Sequence, residues 1–210
     1  MPTAVLELPS TVAQADRLIA LGLHELAGLS AGELCAAAER PPEPGTLLVL
    51  TSVPPSALAP LVARSGKPGF VVEDMTDVDA FGPIEPLPAG AVHALSGLDR
   101  GDDMAGWSPD EALPAIRDAG RTPLTLAEGL TWALQLPGVI ERNHCFMTIG
   151  SRLRRPDGRL DARTPALWIS NGTGRDGRAR RDAPKVGWCW AGNRHTWLGF
   201  ASAARRLPVR

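Results

Sequence analysis

Tyrosine is absent from this 210-residue chain, and lysine occurs only at Lys67 and Lys185 against twenty arginines. With many alanines, prolines and glycines, that bias reads as the codon usage of a GC-rich genome and carries no chemistry. Cysteine is scarce and odd in number (Cys35, Cys145, Cys189), which excludes a paired disulfide framework and points to a reducing compartment. No apolar run approaches the roughly 18 residues a membrane span needs. Residues 1–9 have neither the basic start nor the apolar core of a secretory signal. A soluble, cytoplasmic protein without a membrane partner is therefore expected. Net charge is −1, so no whole-molecule attraction to nucleic acid or anionic lipid follows. Also missing are the GxSxG elbow, the HExxH zinc motif and the GxxxxGK[ST] phosphate loop. No internal repeat is visible.

What is present is 44% hydrophobic residues, enough for a chain this long to bury about 70% of its unfolded surface. We read residues 1–210 as a single domain, with sub-parts 1–105 and 106–210. Residues 1–100 carry twelve acids against five bases, and residues 101–210 carry eleven against seventeen. The halves are thus about −7 and +6, which predicts a dipolar surface or charge-complementary lobes.

Along the chain, Val12, Ala15, Leu18 and Ile19 recur at helical spacing behind a Ser10 or Thr11 cap, and Gly22 stops them. Ser30 and Glu33 have the capping-box spacing, as do Ser108 and Glu111, and Thr125 and Glu128. Each pair predicts a helix start. Residues 46–51 are apolar without alternation, which suits a strand covered on both faces. With a helix from Pro54 to Gly66 and a strand at residues 70–72 they predict a right-handed βαβ unit. A third strand is expected at residues 91–95. In the last third the period changes to two, and residues 145–150, 166–170, 186–190 and 196–200 read as one mainly antiparallel, tryptophan-rich sheet of about four strands, the last two joined as a hairpin. The fold class is α+β.

Five stretches also resemble an uncharacterised family of actinobacterial proteins of about this length. They are residues 145–152, 165–170 and 187–199 (GWCWAGNRHTWLG), with 70–79 and 108–128. The likeness covers most of the chain and is weakest over residues 171–185. It implies a bacterial, cytoplasmic protein with a domain of unknown function, and it carries over no catalytic residue.

Four groups of residues bear on chemistry. Gly172, Gly174 and Gly177 spell GxGxxG after an apolar strand, yet no apolar helix follows, so an irregular, mobile loop over residues 172–183 is expected instead of a dinucleotide site. Nine arginines within residues 151–182, near Trp168, Trp188, Trp190 and Trp197, have the composition of a single-strand binder. Solvated hairpin tips over packed tryptophans are the plainer reading, unless Trp168 and Trp197 are exposed. Glu73, Asp74, Asp77, Asp79, Asp99, Asp102 and Asp103 lack calcium-loop spacing and read as a solvated acidic edge. His144, Cys145, Cys189 and His195 are the residues of a soft-metal or thiol site, but neither cysteine belongs to a CxxC pair and adjacent strand residues face opposite ways. No metal and no cofactor is assigned.

The leading function is a binding or interaction module for a small molecule or a protein. The alternative is a small-molecule enzyme using a Cys/His site near the 187–197 hairpin. Ligand-binding candidates are His144, Arg152, Trp190, Asn193, Arg194 and His195, and candidate thiols are Cys145 and Cys189. Glycines 187, 192 and 199 would leave room, the tryptophans would make walls, and the 193–195 turn would present polar groups.

Overall fold

The computed structural model describes residues 7–209; Met1 to Leu6, part of the stretch read for a signal, lie outside the described residues. Helix α1 (Thr11–Ala20) starts where the Ser10 hydroxyl accepts the Ala13 amide at 3.2 Å. The short α2 (Leu23–Leu26) and α3 (Ala31–Ala38) follow, the latter opened by the Ser30/Glu33 box. Strand β1 (Leu47–Leu50) is buried throughout. Buried Gln14 of α1 accepts the Leu48 amide and donates to the Thr46 carbonyl, both at 2.9 Å. A helix side chain thus satisfies backbone groups that a further strand would otherwise pair.

Next come α4 (Pro55–Leu58), the two-residue strands β2 (Ala63–Arg64), β3 (Lys67–Pro68) and β4 (Phe70–Val71), then β5 (Phe81–Pro83) and β6 (Val92–Ser96). Helices α5 (Pro109–Asp118) and α6 (Leu126–Gln135) flank β7 (Thr122–Pro123), and both carry their expected capping boxes. The remaining strands are β8 (Cys145–Met147), β9 (Ser151–Leu153), β10 (Arg163–Ile169), β11 (Pro184–Trp190), β12 (Leu198–Phe200), β13 (Ser202–Ala203) and β14 (Arg205–Pro208).

The helices and the several small sheets make an α+β fold. One sheet runs β1-β6-β14 and is antiparallel; a second runs β12-β8-β10-β11-β4, and three two-stranded pieces complete the set. Helix α6 packs against β1 of the first sheet and β10 of the second, and nearly every residue of it is buried. Its Gly129 lies so close to the second sheet that a Cβ would stand 2.5 Å from Thr148 Cγ2 and 3.1 Å from Phe146 Cε2.

Two expectations are corrected. Strands β1 and β4 lie in different sheets, so there is no βαβ unit there, and β1 instead pairs antiparallel with β6. The apolar run of β1 reflects cover from α1 and α6, which parallel pairing would also have produced. The helix expected from Pro54 to Gly66 is reduced to the four residues of α4 and a 3-10 turn at Ala59–Leu61, followed by the β2–β3 pair. The second correction concerns β11 and β12. They are not a hairpin: β12 joins the far edge of the sheet, parallel to β8, and β4 joins the other edge, parallel to β11. Residues 191–197 therefore cross from one side of β10 and β8 to the other.

Candidate functional site

That crossover closes a surface cleft of about 200 Å³ at one end of the five-stranded sheet. Strand β10 supplies Trp168 and Ile169, with Asn171 just beyond; the turn before β8 supplies Arg142 and Asn143 with Cys145; and Trp197 arrives immediately before β12. The 141–144 turn is held by two backbone bonds between Glu141 and His144, of 2.9 and 3.0 Å, and Asn143 sits at φ 66°, where asparagine is tolerated. Trp168 leans over Gly187, where a Cβ would stand 2.5 Å from the indole Cη2. Trp197 meets Trp168 edge to face at 6.1 Å, and Lys185 Nζ lies 5.1 Å from the Trp168 ring centroid. The Arg142 guanidinium donates to Asn171 Oδ1 and Asp182 Oδ1, tying the turn to the segment after β10. Aromatic walls and a polar, nitrogen-rich rim result.

The residues singled out from the sequence are divided between the two ends of this sheet. Arg163 pairs with Trp190 at one end of the β10–β11 ladder and Ile169 with Pro184 at the other, six steps or roughly 20 Å away. Cys145 lies in the cleft and His144 beside it, exposed on the turn. Arg152 is at the opposite end, buried, with Nε and Nη2 donating to the Asp161 carbonyl at 3.1 and 2.5 Å. Burial lowers its guanidinium pKa. Trp190 is also there, 48% exposed and edge-on to Trp188 at 4.7 Å. Asn193 and Arg194 are exposed on the crossover, and Arg194 reaches Glu111 and the Gly106 carbonyl. His195 packs on Trp197 at 5.4 Å; its Nε2 is buried without a partner among the described residues, and burial depresses its pKa.

The thiols are poorly placed for nucleophilic work. Cys145 Sγ donates to the Glu141 carbonyl at 3.0 Å, and burial pushes its pKa up to about 11; burial does the same to Cys189. Cys189 is opposite Thr164, four strand positions from Trp168 beside which Cys145 lies, so the two sulfurs are separated by roughly 13 Å along the sheet. No histidine hydrogen-bonds either thiol among the described residues. No group of three or more His, Cys, Asp or Glu among those residues is placed to hold a metal ion.

Sequence reasoning missed a buried polar cluster centred on Glu128. Glu128 closes its capping box by accepting the Thr125 amide at 2.7 Å. It also accepts Arg206 Nε and Nη2 at 2.7 and 2.8 Å and faces His93 Nε2 at 2.9 Å. A carboxylate only accepts, so His93 Nε2 carries a proton, and Nδ1 lies 3.0 Å from the Thr51 hydroxyl. Desolvation alone would raise the Glu128 pKa, but the bonds and charges of His93 and Arg206 outweigh it and hold the group at about 2. His93 and Glu128 are 1% and 0% exposed, so the cluster joins α6 to β6 and β14 and is closed to ligands. Only His93, polar inside an apolar strand, signalled it.

The charged segments find one another. Arg163 grips Asp77 with two bonds, Arg175 reaches Asp74 at 3.2 Å and Arg180 reaches Glu73 at 3.7 Å. Asp79 accepts the Ser56 amide and hydroxyl. Three of the seven acids, Glu73, Asp74 and Asp77, thus pair with arginines of the opposite half, while all but Asp77 stay exposed as the solvated edge the sequence led one to expect. Trp168 and Trp197 are half-buried, short of the exposure a single-strand binder needs. Residues 172–183 are not wholly irregular. They form two 3-10 turns, anchored where Asp176 accepts from Lys185 Nζ at 2.7 Å and the Ser170 hydroxyl at 2.7 Å.

No helix among the described residues is long and apolar enough to cross a membrane. The fold and the cleft define an α+β protein with an aromatic-walled cleft built across three strand ends. The chain belongs to a family of unknown function, DUF5701, whose model matches residues 17–209. No curated protein and no solved structure matches it.

Proposed function

We propose that this protein is a small-molecule binding module whose ligand occupies the cleft between Trp168, Trp197 and the 141–144 turn. The carrying observation is convergence: two indoles and the Arg142, Asn143 and Asn171 side chains, from three separate segments, line one concavity. Apolar walls with a few placed polar groups are the usual composition of a ligand site. The raised thiol pKa values and the lack of an imidazole on either sulfur speak against the enzyme alternative. A thermal-shift screen of small metabolites against the parent and Trp197→Leu tests the proposal. Ligand shifts confined to the parent support it; shifts identical in both proteins place the site elsewhere.

A second reading, docking of a protein partner, is favoured by Trp107 and Trp190, which are 41% and 48% exposed. Replacing both by serine should then abolish partner capture while leaving small-molecule shifts intact. Three unpaired cysteines support a cytoplasmic setting, and the arginine-rich, lysine-poor composition supports an actinobacterial origin.

A further inference from the structure

We infer that the ligand of this cleft is a small aromatic acid, a single planar ring bearing a carboxylate; this rests on the binding reading above. Size comes first. A cavity of roughly 150 Å³ accepts benzene, so about 200 Å³ holds one ring and a small substituent. Trp168 and Trp197 offer that ring apolar contact, one of them edge-on to the other.

The rim then selects the substituent. Asn171 Oδ1 already accepts from Arg142, and the Asn171 amide nitrogen keeps both of its N–H donors for a ligand. Arg142 uses one proton on each terminal nitrogen for Asn171 and Asp182, so three of its five N–H donors remain. Those two bonds fix the guanidinium plane before any ligand arrives, which lessens the ordering cost of binding. Donors therefore outnumber acceptors on this rim, even with the Asn143 carbonyl counted, and that excess suits an oxyanion better than a cation.

Charge acts in the same direction. Arg64 and Arg100 both act on the Cys145 thiol, and Arg181, Lys67 and Arg142 all act on Asp182. Of these cations Arg142 alone lines the cleft, and it is the only charged side chain in that lining.

The test is a ligand-observed NMR titration of the full chain with benzoate and with benzamide, which share a shape and differ in charge. Arg142 is 41% exposed, so solvent discounts its pull. The expected preference for benzoate is about tenfold at low salt, narrowing as ionic strength rises. Arg142→Gln should abolish the preference and leave benzamide binding in place. Because that change also frees the 141–144 turn, Asn171→Asp serves as the second variant; it exchanges donors for a negative charge and should reverse the preference. Equal affinity of the parent for both compounds overturns the inference and leaves the binding reading standing. Failure of both to bind likewise overturns the inference, and the binding reading is then decided separately by the metabolite screen against the parent and Trp197→Leu.

Discussion

Glu128→Gln removes one charge from the interior at almost constant volume, and the structure says what that should cost. In the parent, the Glu128 carboxylate neutralises Arg206, whose side chain is 7% exposed, and fixes the His93 ring. The glutamine amide retains one acceptor but turns a donor toward either the His93 N–H or the guanidinium, leaving a buried cation uncompensated. Removing one partner of a buried pair costs about 3–5 kcal/mol. An independent route gives a similar figure. The carboxyl pKa falls from 4.5 to about 2 on folding, and about 1.4 kcal/mol per unit makes roughly 3 kcal/mol. Because the folded pKa is the depressed one, this stability is fully present above about pH 4.5 and is lost as pH falls toward 2. Urea unfolding at neutral pH should therefore show Glu128→Gln destabilised by about 3 kcal/mol, with the acid-side slope between pH 4.5 and 2 flattened. Adding Arg206→Met, which removes the stranded charge, should recover part of the loss. A loss below about 1 kcal/mol, or a double variant weaker than the single, would refute the reasoning.

Gly129→Ala should destabilise although alanine gains about 1 kcal/mol of helix propensity. The new methyl would stand 2.5 Å from Thr148 Cγ2, and overpacking of this kind costs about 1–3 kcal/mol; a raised melting temperature would contradict the close packing of α6. Gly187→Ala should displace Trp168, seen as altered tryptophan emission and weaker binding of any cleft ligand, with the fold retained. With thiol pKa values near 11, Cys145 and Cys189 are about one part in a thousand thiolate at pH 8. Ellman's reagent should therefore titrate Cys35 alone in the native protein and all three cysteines in denaturant. Asn193→Ala, outside the cleft lining, should leave cleft binding unchanged in the same NMR titration.

The sequence by itself determined whatever closes within a few residues. Ser30 with Glu33, Ser108 with Glu111, and Thr125 with Glu128 each satisfy free helix donors three positions apart, so all three helix starts were readable. The strands of the last third were readable because alternation is also local, and the α+β class followed from the two periods together. Tertiary structure alone decided which strands lie side by side. An apolar run such as β1 is the same whether its neighbour is parallel or antiparallel, since burial on both faces selects the residues and hydrogen-bond direction does not. Short turn residues at 191–193 suggested a hairpin, but the chain continues across β10 and β8 to the far edge of the sheet, where β12 finds a free pairing partner in β8. That choice alone brings Trp197 to Trp168 and makes the cleft. Glu128 shows the same division within one side chain: its bond to Thr125 was written in the spacing. Its bonds to His93 and Arg206, 35 and 78 residues away, exist only because the fold brings the three side chains together where water is excluded.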